Sequence, residues 1–424
     1  MSEHNTVRIQ KLSNGVTLIA EQMEYVSSLA LSILIPVGAA TDPMGFEGSA
    51  GILSEMLNKG AGPYGNRELS EELEKFGIHH SNSAGIEVSV TSAALLGENM
   101  AEAVRLLGNI LLDPRFPAEE LDSVRQLALQ ELKSLEDEPS SKVMVELAKA
   151  FYPAPFGRSQ LGTEEGLRRI DIDALRRYYS EYYVPGNVII GVAGRFEWNE
   201  LVDRIEKTFG GWKGTHTLLD SKPFRSHSAV HHVHKDSSQE QLALAYPSIS
   251  LDHPDYYAAR LAVGVLSGGM SGRLFIEVRE KRGLVYRVSA SHSAARGRAA
   301  VLCYAGTTPE RCEETLDVML TELRGLKRGV SAEELHRAKT DLKSRVIMQG
   351  ESSSARASSI VNDWWHLSRV RSLQEIKDSI DRVTADDIAR HLGEYPVSPV
   401  TVVTLGPKEL KLKSESDDSA TLNA

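Results

Sequence analysis

Few side chains in this sequence carry obvious chemistry, and most of those lack a partner. His231, His232 and His234 sit together, with His232 and His234 on one face of a predicted strand. Two imidazoles so placed can ligate a metal once a third donor joins them. No carboxylate or thiol signature accompanies them, so the run reads as a polar strand edge. His79 and His80, beside Asn82 and Ser83 next to a predicted strand, read as surface or satisfied-core histidines. Ser54 has no adjacent histidine, so a serine nucleophile there would have no base. Gly268-Gly-Met-Ser-Gly272 lacks the Gly-Lys-Ser/Thr ending of a phosphate loop and reads as a glycine-rich hinge. Cys303 and Cys312 are too few for a disulfide framework; they fit a reducing compartment or small buried side chains.

The elements that position these residues come in two sets. Ala118-Glu-Glu-Leu121 recurs half a chain later as Ala332-Glu-Glu-Leu335. Each copy leads into a long helical pattern, Leu121 to Leu135 and Leu335 to Met348, then a short Ser-rich segment. A second helix follows in each case, ending in aromatics at Phe151-Tyr152 and Trp364-Trp365. Before each copy lie a strand (Glu87 to Ala93; Ala299 to Ala305) and an amphipathic helix (Asn99 to Leu112; Glu310 to Leu326). Asn14-Gly15 between Val7 to Leu12 and Val16 to Glu21 is a hairpin signal, and Leu29 to Val37 is a further strand. Val230 to His234 and Gln241 to Tyr246 play the same parts in the second half. Asn187 to Ala193 and Val400 to Leu405, each closed by glycine, are a final matched pair. Such a repeat predicts two similar α+β domains, each a mostly antiparallel sheet packed with helices. The expected boundaries are 1–210, a glycine-containing linker over 211–223, a second domain over 224–413, and a disordered tail over 414–424.

Bulk properties agree. A length of 424 residues favours more than one domain. The formal net charge of −10, with Lys and Arg dispersed, argues against a nucleic-acid surface. The longest apolar run, Leu29 to Ala40, is broken by Ser32 and Pro36, so no membrane span is expected. The polar N-terminus has no apolar signal core. A cytoplasmic location is expected, or a periplasmic one if a signal segment has been removed.

Several motifs in order resemble those of the pitrilysin/insulinase/mitochondrial-processing-peptidase family, the inverted zincins. They are Gly48-Ser-Ala-Gly-Ile-Leu-Ser-Glu-Met-Leu-Asn-Lys-Gly60, Pro155-Phe-Gly-Arg158 with Leu161-Gly-Thr163, and Tyr182-Tyr-Val-Pro-Gly-Asn187. In the second half come Gly268 to Phe275 and Val278 to Tyr286. The resemblance spans nearly the whole chain and implies two α+β domains joined by a linker and closing like a clam. In that family the first motif is a helix bearing His-x-x-Glu-His, two zinc ligands and a general base. Here those positions are Gly51, Ser54 and Glu55, and the family's third ligand maps to Glu131. Two carboxylates without imidazole make a poor zinc site, though Ca²⁺ or Mg²⁺ can bind weakly to such oxygens. The expectation is no metal and no cofactor in this chain, with Glu55 and Glu131 as solvated or lysine-paired helix acids.

Arg279 and Tyr286 match the arginine and tyrosine of the family's second domain. Leu274 to Lys281 reads as a helix ended by Gly283, and Leu284 to Ala290 as a strand, so both side chains can project toward one cleft. A phenol and a guanidinium there would stabilise the oxyanion of amide hydrolysis or hold substrate carbonyls. The plain alternative pairs Arg279 with Glu277 or Glu280 and packs Tyr286 in a core. The resemblance implies an accessory subunit, inactive alone, of a heterodimeric zinc metalloendopeptidase. Its partner bears the zinc motif, its substrate is an unfolded peptide, and the family's pairing through related surfaces allows a homodimer of the isolated chain at high concentration. The alternative is a non-proteolytic structural or peptide-binding protein of the respiratory core-subunit type; a self-sufficient peptidase with a metal at Glu55 and Glu131 is a distant third.

Overall fold

Asn14-Gly15 does turn the chain back: Gly15 takes φ +95°, and strand β1 (Val7–Lys11) pairs antiparallel with β2 (Thr17–Gln22), Val7 opposite Glu21. The computed structural model describes residues 7–220, 224 and 226–410. The end of the expected linker and the whole expected tail, 414–424, lie outside the described residues. The chain forms two α+β units, each with its own sheet.

The first unit comprises Met1–Asp137, Pro153–Ser221 and Ser344–Lys377. Its strands continue with β3 (Ser28–Ile35), the short pair β4 (Gly60–Ala61) and β5 (Tyr64–Gly65), β6 (His79–Ala84), β7 (Ser89–Leu96) and β8 (Ile189–Gly194). The main sheet has the order β1-β2-β8-β3-β7-β6, mostly antiparallel, with β2 and β8 parallel. Its helices are α1 (Ser49–Met56), α2 (Asn66–Lys75), α3 (Met100–Leu112), α4 (Ala118–Ser134), α6 (Glu164–Arg169), α7 (Ile172–Tyr182) and α8 (Trp198–Phe209). The missing number, α5 (Pro139–Phe151), belongs to the second unit.

The second unit comprises Glu138–Tyr152, Lys222–Lys343 and Asp378–Ala424. Strands β9 (Ala229–His234), β10 (Glu240–Pro247), β11 (Arg287–Ala295), β12 (Arg298–Thr307) and β13 (Thr401–Gly406) form a sheet of order β11-β12-β10-β13-β9. Around it lie α9 (Tyr256–Ser267), α10 (Cys312–Gly325), α13 (Leu373–Arg382, whose first half belongs to the first unit) and α14 (Ala385–Glu394). Helix α11 (Ala332–Gly350) runs from this unit into the first, and α12 (Ser353–Leu367) belongs to the first. β9 runs parallel to β13 as β2 does to β8, so β9 and β10 are the counterparts of β2 and β3. They do not pair with each other as a hairpin.

Each half of the sequence thus lends a helix to the other half's sheet. β3 is apolar on both faces because both are covered: Leu29, Leu31 and Ile33 face the main core, while Ala30 and Leu34 face α12. Ile360 and Val361 of α12 pack on Ile19, Leu34 and Ile189. The helix lies so close that a Cβ on Gly191 would come within 2.3 Å of a Val361 methyl. In the second unit Val143, Leu147 and Phe151 of α5 pack over Ala243, Ala245 and Val403. Burying each of these three side chains contributes about 1.5–3 kcal/mol. No helix among the described residues is long and apolar enough to cross a membrane.

Candidate functional site

Helix α1 begins at Gly48, whose φ of +111° is left-handed and therefore suits glycine; a Cβ there would also strike Leu167 at 2.6 Å. Asp42, which sequence reasoning missed, anchors this start by accepting hydrogen bonds from the Gly48 and Ala50 N–H groups at 2.7 and 2.9 Å. Burial pushes its carboxyl up to about 6, against the pull of those two bonds and the Arg158 charge. Six of the eight residues of α1 are buried; Gly51 and Glu55, four apart on one face, are not. That is the geometry two metal ligands on a helix require.

Glu131 is brought to the same place by α4, which packs on α1. A cavity of about 250 Å³ is lined by Gly51, Ser54, Glu55 and Glu131, together with Asn82 and Gln160. The four positions singled out in the sequence therefore share one pocket. Its donors do not suit zinc: Gly51 offers no ligand, Ser54 only a hydroxyl, Asn82 and Gln160 only amides, and Glu55 and Glu131 are carboxylates on exposed positions without an imidazole. Among the described residues no three His, Cys, Asp or Glu side chains converge as a metal site. Neither Glu55 nor Glu131 has an ion pair among the described residues, so neither is lysine-paired.

The second unit holds Arg279 and Tyr286. The expected helix over 274–281 is a π-helical turn, Phe275–Glu280, and the expected strand from Leu284 begins only at Arg287. Leu284 and Val285 are instead buried in the connection, where Leu284 N–H bonds Val278 O at 3.0 Å and Gly283 N–H bonds Arg279 O at 2.9 Å. Tyr286 N–H bonds Gly306 O at 3.0 Å, extending the sheet by one residue. Both side chains leave this braced backbone toward solvent. Tyr286 is 64% exposed, and its hydroxyl makes no hydrogen bond among the described residues. Arg279 lies over the Phe275 ring at 4.9 Å and carries no ion pair among the described residues. Glu277 is instead engaged by Lys281 at 2.6 Å and Arg282 at 2.9 Å, which hold its carboxyl below the usual range.

The other residues noted in the sequence have structural roles. His232 Nδ1 hydrogen-bonds Thr404 Oγ1 at 2.8 Å and lies 3.9 Å from Glu240, a fully buried carboxyl. Burial raises Glu240 to about 7 in spite of the Lys408 N–H and charge nearby. His80 bonds Asn58 at 3.0 Å, and burial lowers its pKa; His79 is exposed on β6. Gly268 to Gly272 is a tight turn after α9, in which Gly269 takes φ +100°. Cys303 and Cys312 are free and buried, and burial pushes both thiols up, Cys312 to about 12.

Comparison with known proteins agrees with these features. Residues 17–164 match the family described as Insulinase (Peptidase family M16), and residues 169–342 match the Peptidase M16 inactive domain. An uncharacterized zinc protease of Rickettsia felis is 28% identical over 95% of this chain and 98% of its own length. One from Bacillus subtilis is 28% identical over 88% of this chain and 92% of its own. Among solved structures, a peptidase M16 inactive domain from Pseudomonas fluorescens matches at TM-score 0.85 and 23% identity, covering 96% of this chain and 99% of that one. A chain of complex III from Candida albicans matches at TM-score 0.81 and 19% identity, covering 96% and 98%.

Proposed function

We propose that this chain, a member of peptidase family M16, is the accessory subunit of a heterodimeric zinc peptidase, unable to hydrolyse peptides alone. In this reading a second subunit of the same family, with an intact zinc motif, supplies the metal, the water and the base. This chain supplies Arg279 and Tyr286. The observation that carries the reading is that these two donors stand in solvent on a braced backbone, with no ion pair for one and no hydroxyl partner for the other among the described residues. The Phe275 ring under Arg279 takes up none of its N–H donors, so both groups keep donors available for a ligand.

The chemistry follows from the charges. Attack on a peptide carbonyl places negative charge on its oxygen. The Tyr286 O–H donates to that oxygen as charge forms, and the forked guanidinium of Arg279 holds either the same oxygen or a neighbouring substrate carbonyl. Donors set in place before reaction need no reorganisation during it. The substrate is an unfolded peptide, and the setting is cytoplasmic. At high concentration the isolated chain can pair with itself through the surface that the partner would cover.

The test is activity of the purified chain with and without added zinc, then with a zinc-motif subunit present. The reading expects no hydrolysis in the first two cases and chelator-sensitive hydrolysis in the third. Zinc-dependent hydrolysis by the lone chain would overturn it. A second reading, a non-proteolytic subunit like those of respiratory assemblies, has the fold of the complex III chain in its favour. It expects a stable stoichiometric assembly that never cleaves peptide.

A further inference from the structure

We propose that the pocket between α1 and α4 binds the guanidinium of an arginine side chain carried by an extended peptide. The proposal rests on the peptide-handling role given above and names a residue that role would select.

Four observations lead to it. The cavity, about 250 Å³, falls below the range of roughly 300–1,000 Å³ typical of whole small-molecule sites, and suits a single side chain. Ser54 lines it, is only 4% exposed, and has no hydrogen-bond partner among the described residues. Its hydroxyl is thus left able to bond an occupant of the cavity. Glu55 and Glu131 line the same cavity from exposed positions, both without ion pairs among the described residues, and no Lys, Arg or His is in the lining. The pocket therefore offers acceptors and negative charge with no internal cation. Asn82 does not change this, because its amide is turned to Asn58 at 2.7 Å.

A guanidinium fits this set better than an ammonium. It has five N–H donors, no acceptor, and a planar fork wide enough to reach a hydroxyl and a carboxylate at once. Its methylene stem has an apolar wall to lie on, formed by Leu127, Ala128 and Leu161; Leu127 is 51% exposed without a ligand. The route in is also present. β6 pairs only with β7 and is the edge of its sheet, and its residues Asn82, Ser83 and Ala84 border the cavity. A peptide added along that edge presents alternate side chains to the pocket side.

The experiment measures binding of a fluorescent peptide to the full chain by anisotropy at fixed ionic strength. Three versions of the peptide carry arginine, citrulline or lysine at one position. Citrulline keeps the shape and removes the charge. The arginine peptide should bind about tenfold more tightly than the citrulline peptide, with lysine between. Glu55→Gln with Glu131→Gln should erase that preference while leaving citrulline-peptide binding intact. The charge-matched control Glu98→Gln with Glu200→Gln, elsewhere on the same unit, should preserve it. Equal binding of arginine and citrulline peptides to the wild type overturns the proposal but leaves peptide handling standing. So does a preference that survives the Glu55/Glu131 change. Binding of none of the three peptides removes the peptide-handling role itself, and the pocket assignment with it.

Discussion

Helix α12 is tied to the first sheet by one buried ion pair, and breaking it gives a sharp test of the exchanged-helix packing. Arg356 Nε donates to Glu21 Oε2 at 2.6 Å, and both side chains are 2% exposed. Arg356 Nη2 also reaches Arg371 O at 3.4 Å, while Nη1 finds no partner. Replacing Arg356 by Met removes the guanidinium from the buried Glu21 carboxylate, a cost of about 3–5 kcal/mol. Glu21→Leu strands the guanidinium and should cost a similar amount. The double variant removes both charges and should return to within about 2 kcal/mol of the wild type, because the native pair is itself imperfectly satisfied. Urea unfolding followed by tryptophan fluorescence reads this cleanly. All four tryptophans, Trp198, Trp212, Trp364 and Trp365, lie in the first unit. Single variants costing under about 1 kcal/mol, or a double variant as unstable as the sum of the singles, would refute the reasoning.

Two further outcomes follow from the same physics. Gly51→His, Ser54→Glu and Glu55→His together should create a zinc site with Glu131, giving one zinc per chain by elemental analysis; a Cβ at Gly51 meets nothing closer than Gln160 O at 3.7 Å. Failure of that well-folded variant to retain zinc would mean that α1 and α4 do not hold ligand geometry. Glu240 has a folded-state pKa raised from 4.5 to about 7, so its stabilising contribution is full below about pH 4.5 and is lost as pH rises through 7. A fully buried carboxyl shifted that far ties roughly 3 kcal/mol of stability to pH. Glu240→Gln should flatten the stability of the second unit between pH 5 and 8, and an unchanged pH profile would sink the assignment.

Much of the fold was legible because local signals and packing agreed. The Asn14-Gly15 hairpin, the matched strands β7 and β12, and the amphipathic helices α3 and α10 all lie close to where periodicity put them. The exchange of α5 and α12 was not legible, since an apolar helix face does not say which sheet it will cover. β6 was hidden because His79 to Ala84 is polar and half-exposed, which is what an edge strand can tolerate. The π-helical turn at Phe275–Glu280 differs from the ordinary helix its spacing predicts, because the hydrophobic spacing of so short a segment cannot separate the two. At the pocket, the motif comparison found Gly51, Ser54, Glu55 and Glu131. It could not find Asp42, whose role depends on hydrogen bonds accepted from a backbone folded back over it.

The most direct measurement is kcat and KM for peptide hydrolysis by this chain combined with a zinc-motif subunit, comparing the wild type with Tyr286→Phe and with Arg279→Ala. Loss of an oxyanion donor should lower kcat by about 10²–10³ for the Tyr286 change with KM little altered. The Arg279 change should lower kcat, raise KM, or do both, according to which carbonyl it holds. Undiminished kcat/KM in both variants, with the complex intact, would contradict the account.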